Sequence, residues 1–363
     1  MNDVVSRAVS HLTHLTRTPA VAGLAAGWLA FCVLVWLYGL SPREMGIVLF
    51  DGTWGTSYGA GQVLFKATPL LFTGLAVDLA LRAGLFNIGA EGQLAVASLV
   101  AGVVGSRLPH GTPAVVALPV TVAAAMVAGA AWASVPALLK GRFGAHEVIS
   151  TIVMNRIADG FVGLLIASGL ALPGSVRTAD VVPGARVPRL EVLFPAFRGS
   201  AASFAALAAV AATVAVMLAH ERTRFGREVG LIGKNARAME AERVSVRRRL
   251  AQALVASGAV VGAGSLGTVL GYKGYFEEGL GAGAGFGGVA VALLGRGSAA
   301  GLVLAALLFG TLQQGGLALN AHVPKELMDV LQGVVIVAVA LADARLRDAL
   351  VAPAAPTRKG AGR

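Results

Sequence analysis

The chain has 363 residues, 56% of them hydrophobic and only 13% charged, with a mean hydropathy of +0.74; a soluble domain carries roughly 25% charged residues. So little polar surface excludes a water-soluble fold, and the bilayer is the solvent for most of the chain. The net charge of +11 does not mark a nucleic-acid partner, because the Lys and Arg residues lie between apolar runs rather than on one patch or among aromatics.

The first apolar run, 20–40, follows Arg7 and Arg17. It is longer than a signal-peptide core and has no small-residue cleavage site, so it reads as a retained span behind a cytoplasmic segment 1–19. Cys32, the single cysteine, lies within it, which leaves no disulfide framework and no thiolate metal cluster. Further spans are predicted at 67–83, 88–106, 113–139, 146–170, 201–219, 250–270, 281–294, 297–316 and 326–342, ten in all, each judged against the roughly 20 residues that cross a 30 Å hydrocarbon core. The segment 171–200, with Pro173, Pro183, Pro188 and Pro195, is too polar to span and is placed outside. The polar loop 220–249 is placed inside, and 344–363 is expected to be a basic, disordered cytoplasmic tail.

With the N-terminus inside, 21 of the 30 basic residues fall on the cytoplasmic side and nine outside. The loop 220–249 alone holds Arg222, Arg224, Arg227, Lys234, Arg237, Arg243, Arg247, Arg248 and Arg249. This satisfies the positive-inside rule and suits contact with anionic lipid headgroups. Five spans on each side of the midpoint run in opposite senses, the geometry of an inverted repeat. The expected fold is an all-α polytopic membrane protein of about ten transmembrane helices in one domain, 20–343, with two inverted five-helix halves and both termini cytoplasmic.

Glycine pairs four apart, Gly23/Gly27, Gly258/Gly262 and Gly297/Gly301, suit close helix packing in lipid. The stretch Arg82 to Gln93 interleaves Gly84, Gly89 and Gly92 with Asn87, Glu91 and Gln93. Such a sequence predicts a broken helix or tight reversal, serving either as a cavity wall or gate or as a buried turn satisfying its own backbone. Glu147, Thr151, Asn155 and Asp159 recur every four residues, giving a polar stripe that faces either a solute path or an interhelical hydrogen-bond seam. Asn87, Glu91, Gln93, Glu147, Thr151 and Asn155 are thus the candidate path residues. Asp78 and Arg82, four apart, are expected to neutralise each other. In the loop, Gly233 and Asn235 predict a turn and Ala236 to Glu242 a short helix, suited to docking a soluble partner or to lying on headgroups.

Enzyme signals fail their context tests. Gly283, Gly285 and Gly288 match G-x-G-x-x-G without a preceding strand or a following acid, and Gly233-Lys234 lacks the rest of a phosphate loop. The six histidines form no metal pair and no nucleophile–base set stands out. No catalytic residue, metal site or cofactor is expected in this chain.

Four segments, GLFNIGAEGQL (84–94), AHEVISTIVMN (145–155), GREVGLIGKNARAMEA (226–241) and GAGFGGVAVALLGRGSAAG (283–301), resemble in the same order the permeases of ATP-binding-cassette importers for branched-chain amino acids, simple sugars and nucleosides. The likeness covers about 65–345 and is greatest to nucleoside (purine-type) permeases. It implies a bacterial inner-membrane subunit that forms the path for nucleosides, with ribose-like sugars as the alternative; an ion-coupled secondary transporter is the alternative from another class. It also implies partners: a cytoplasmic ATPase that uses ATP and Mg and docks on the loop, a second permease subunit, identical or homologous, and an extracytoplasmic substrate-binding lipoprotein. The family's loop motif falls on Gly233, Asn235, Ala238 and Glu240. One departure stands out: the family has a Gly-Ile pair just after this helix, where the chain reads Arg243-Val244.

Overall fold

A computed structural model describes residues 25–324 and 326–351. The expectations for 1–19, for Gly23 and for the tail from Pro353 lie outside these residues. The described chain is helical, with isolated bridges only at Arg177–Glu277 and Arg189–Ser203 and no strand. The helices are α1 (Ala25–Leu37), α2 (Pro42–Thr53), α3 (Ser57–Arg82), α4 (Ala90–Arg107), α5 (Ala114–Phe143), α6 (Glu147–Leu165), α7 (Ala205–Arg222), α8 (Arg224–Lys234), α9 (Ala236–Ala241), α10 (Val246–Gly262), α11 (Ala284–Gly295), α12 (Ala299–Leu319) and α13 (Glu326–Val351). Wider π-helical turns follow α6 at Ile166–Leu170 and α10 at Leu266–Lys273.

The chain divides into two compact units, Met1–Gly46 with Ala321–Arg363, and Ile47–Asn320. In the first, α1 lies against α13: a Cβ on Gly27 would stand 2.6 Å from a methyl of Val335. The second unit is built around α3. Every residue from 67 to 80 is buried, which is why that run is apolar on all sides and carries no one-sided stripe. By contrast, α5 buries only Ala117, Thr121, Ala125, Gly129, Ala133, Pro136 and Ala137, a line of mostly small residues at four-residue spacing. That line meets Gly258 and Gly262 of α10, where a Cβ on either glycine would strike the α5 backbone. The Gly258/Gly262 pair is therefore a backbone-to-backbone crossing, the arrangement expected where apolar burial does not drive helix pairing. Gly297 and Gly301 do not form such a face, because Gly297 (φ 70°) precedes α12 and Gly301 donates its N–H to the Ser298 cap at 3.1 Å.

Every predicted run coincides with a helix, but the helices differ in kind. Among the described residues six helices, α3, α5, α6 with its π turn, α7, α10 with its π turn and α12, are long and apolar enough to cross a bilayer, or seven if α1 and α2 form one broken span. The predicted eighth span, 281–294, is a helix of 12 residues, about 18 Å long and too short for a 30 Å core. Its apolarity reads as a span, but left-handed backbone at Gly279, Gly281 and Gly283 before it, and at Arg296 and Gly297 after it, stops the helix at both ends. The sequence reading missed α2, whose Arg43, Glu44 and Asp51 break its hydropathy. It also placed 344–351 in a disordered tail, whereas these residues continue α13; they are mostly helix formers with no Gly or Pro before Pro353.

Candidate translocation and coupling site

Helix α3 ends at Arg82 and α4 begins at Ala90, so the predicted reversal is present. Gly84, at φ 74°, makes the left-handed turn that a side chain would disfavour. Asn87 fixes the remainder of the reversal. Its Nδ2 donates to Gln93 Oε1 at 3.0 Å and to Ser257 Oγ at 2.8 Å, and its Oδ1 accepts from Gly89 N at 3.0 Å. Ser257 in turn donates to the Ala76 carbonyl at 2.6 Å. Asn87, Gln93 and Ser257 are all buried, and this network ties α3, α4 and α10 together with its polar groups paired, as burial requires.

Asn155 joins the same turn from α6. Its Oδ1 accepts from Gly92 N and its Nδ2 donates to the Ile88 carbonyl, both at 2.9 Å. Thr151 is buried and donates to the Glu147 carbonyl at 2.7 Å. Glu147 stands apart from the others: Lys140 Nζ donates to it at 2.7 Å across the α5–α6 turn. The fourth member of the stripe, Asp159, is 57% exposed at its side chain and pairs with Arg156 at 3.5 Å.

Glu91 has a different set of partners. Its carboxylate accepts from the backbone N–H groups of Gly283 at 2.6 Å, Gly285 at 2.7 Å and Phe286 at 3.4 Å, at the start of α11. Beside it opens a pocket of about 220 Å³ lined by Glu91, Asp159 and Glu278 with apolar walls from Leu94, Val162 and Phe276. Glu278 was missed by sequence reasoning. It closes the run Tyr272 to Phe276, and an acidic pair ending an aromatic run was the available signal. Among the described residues no His, Cys, Asp and Glu side chains group as metal ligands.

The segment 220–249 folds as two capped helices. Thr223 Oγ1 accepts from Gly226 N at 3.1 Å to start α8, and Asn235 Oδ1 accepts from Ala238 N at 3.1 Å to start α9. Val229 is fully buried in a cluster with Ala80, Ala83, Leu85, Ala137, Ala253 and Leu254, which seats α8 on the α3–α4 reversal. A Cβ on Gly233 would strike the Arg82 carbonyl, so helix and turn meet backbone to backbone. Glu228 receives Arg224 Nε at 2.6 Å and Arg249 Nε at 2.5 Å. The Arg224 guanidinium holds that carboxyl below its ordinary value of 4.5, and Arg249 adds to the effect against the opposing cost of burial. Ala238 and Glu240 are exposed.

The Arg243-Val244 departure has a structural consequence. Val244 N donates to the Met239 carbonyl and Arg243 N to that of Glu240, both at 3.0 Å, closing α9 with Arg243 at φ 59°. This is the left-handed helix stop that glycine fills without strain, occupied here by a residue with a Cβ. Arg243→Gly is expected to stabilise the α9 end by about 1 kcal/mol, measured as a higher unfolding temperature of the purified protein. A lower temperature would contradict the left-handed stop.

A bundle of apolar helices, a reversal packed with paired amides and the amphipathic helix α8 seated on it define a polytopic membrane permease. The chain belongs to the family described as the permease component of branched-chain amino acid transport systems, whose model matches residues 59–340. It is 36% identical over 340 residues to a guanosine ABC transporter permease of Bacillus subtilis, covering 92% of this chain and 94% of that protein. It is 34% identical over 328 residues to a glucose ABC transporter permease of Haloferax volcanii, covering 87% and 84%. It is 28% identical over 339 residues to a nucleoside ABC transporter permease of Lactococcus lactis, covering 92% and 93%. No solved structure matches the chain. Permeases of this family are transport subunits and not themselves enzymes.

Proposed function

We propose that the chain is the permease subunit of an ATP-driven nucleoside importer in the bacterial cytoplasmic membrane. The observation that carries this reading is the likeness to the guanosine permease over nearly the whole of both chains. In this reading α4, α13 and the short α11 with its flanking segments add three crossings to the seven that α1 with α2 and the six long helices make, about ten in two inverted halves, with both termini and the 220–249 segment cytoplasmic. A partner ATPase, using ATP and Mg, docks on α8 and α9 through Gly233, Asn235, Ala238 and Glu240. A second permease subunit, identical or homologous, and an extracytoplasmic substrate-binding lipoprotein complete the importer, and anionic lipids meet the basic loop.

The solute path follows the pocket beside Glu91. Asp159 and Glu278 are partly or fully exposed there and offer acceptors for sugar hydroxyls, while the apolar wall suits the face of a base. The paired amides of Asn87, Gln93 and Asn155, with Glu147 and Thr151, hold the path's frame. Uptake by proteoliposomes containing the permease, its ATPase and its binding protein tests the reading. Labelled guanosine is expected to enter only with hydrolysable ATP, and unlabelled nucleosides to compete it out. Uptake that collapses with an ion gradient instead would point to a secondary transporter. The likeness to a glucose permease keeps simple sugars as the second reading, and competition by glucose or ribose but not by nucleosides would establish it.

A further inference from the structure

Helix α11 is held at both ends by one stretch of chain. At its start, Gly283 has no side chain with which to cap it, and the Glu91 carboxylate supplies the cap from α4 through its bonds to Gly283, Gly285 and Phe286. Past its other end, Arg82 Nη2 donates to the Gly297 carbonyl at 2.6 Å, while Arg82 Nε is held by Asp78 at 2.7 Å. Arg82 and Glu91 flank the α3–α4 reversal, so that reversal spans a helix about 18 Å long.

α11 is also bonded to α3, where Thr73 Oγ1 donates to the Ala284 carbonyl at 2.7 Å, and the segments flanking the helix are bent by left-handed backbone. Gly279, Gly281 and Gly283 stand at φ 81°, 84° and 84°, and Arg296 and Gly297 at 52° and 70°. Backbone of this kind links the helix to its neighbours without a continuous helical connection. Gly279 and Gly281, with Ala282, also form one wall of the acidic pocket. The reversal has a third contact, because Gly233 of α8 sits against the Arg82 carbonyl.

We infer that Arg82 and Glu91 are positioning residues that pass movement of α8 to α11, so that α11 shifts as one body and opens or closes the pocket. Glu91 acts on the helix and not on the solute. Its two short bonds are charge-assisted and fasten the first turn of α4 to the first turn of α11. The inference rests on the proposed role of α8 as the ATPase-docking helix.

The test uses the whole importer in proteoliposomes, with Cys32 replaced by serine and a cysteine introduced in place of the exposed Ala282. Its reaction with a membrane-impermeant maleimide is followed without solute, with and without ATP plus vanadate. The Ala282→Cys parent is expected to change its rate roughly tenfold on ATP trapping, because labelling scales with the fraction of molecules whose pocket is open. Adding Glu91→Ala is expected to abolish that change while ATP hydrolysis continues. Glu91→Gln, which keeps one acceptor oxygen, is expected to retain part of it, with the half-saturating solute concentration of uptake unaltered. An ATP response in Glu91→Ala equal to the parent's overturns the inference alone. A parent with no ATP response overturns it together with the docking role of α8. If the alanine variant does not assemble, Glu91→Gln decides: a shifted half-saturating concentration at unchanged maximal uptake assigns Glu91 to the solute and overturns the inference. Because no solute is present in the labelling, a wrong solute assignment does not alter its outcome.

Discussion

Gly233→Val is expected to leave the permease inserted and ATP hydrolysis running while uptake falls by one to two orders of magnitude. The added side chain has nowhere to go. On that side of α8 a Cβ would meet the Arg82 carbonyl and crowd Gly84 N at 3.1 Å, both backbone groups. The Arg82 backbone cannot retreat, because its side chain is tied to Asp78 and to Gly297 and the following turn is hydrogen-bonded back onto the Ala80 and Leu81 carbonyls. The helix must therefore lift off the reversal, at the roughly 1–3 kcal/mol that overpacking costs, which corresponds to about a tenfold to hundredfold shift against the seated state. Gly230→Ala is the matched control, since a Cβ there meets only the His220 ring at 3.2 Å. The ratio of ATP hydrolysed to solute imported is the measurement. A wild-type ratio in Gly233→Val would remove α8 from the coupling route.

Asn155→Ala is expected to destabilise the folded permease by about 2–6 kcal/mol. It leaves two backbone groups, the Gly92 N–H and the Ile88 carbonyl, without the partner they have now, and each such buried group costs about 1–3 kcal/mol. The effect should show as a large fall in the unfolding temperature in detergent, with uptake falling in step with the amount of folded protein. Val153→Ala on the same helix, at a side chain 50% exposed, is expected to change neither. Were Asn155 a solute contact, the half-saturating concentration would rise while the unfolding temperature stayed put.

The contrast between Asn155 and Glu91 shows where sequence reasoning reached its limit. Both were legible as polar residues inside apolar runs, and both were candidates for a path. The choice between path and hydrogen-bond seam depends on the partner, and Glu91's partners lie 192 to 195 residues away. Local pairs fared differently. Asp78 and Arg82 sit one helical turn apart and bond as expected, and the turn at Asn235 followed by a helix is present with its cap. Gly233, expected in that turn, instead lies in the last turn of α8, a helix the sequence reading missed. Spacing alone decides the pair four apart, because the helix itself brings such residues together.

The pocket shows the same limit. Asp159 was visible as part of a stripe, but its neighbours Glu91 and Glu278 come from other elements, and Glu278 follows a π-helical turn that hydropathy does not register. The helix within the predicted span 281–294 is shorter than a full crossing for a related reason. A hydropathy window measures transfer to lipid, whereas the length of that helix is set by left-handed backbone at its two ends.

The sequence by itself determined that the chain lives in a bilayer and where most of its apolar helices fall, and four of its segments carried the resemblance to its family. The first two features arise from composition and local periodicity, which act over a turn or two of chain. Only the tertiary structure decided that Asn87 pairs with Gln93 and Ser257 while Asn155 pairs with the backbone of the same turn, that α8 rests on the α3–α4 reversal, and that Arg82 and Glu91 hold the two ends of α11. Those facts depend on close approach between segments far apart in the chain, and hydrogen-bond pairing at such contacts cannot be read from either segment alone.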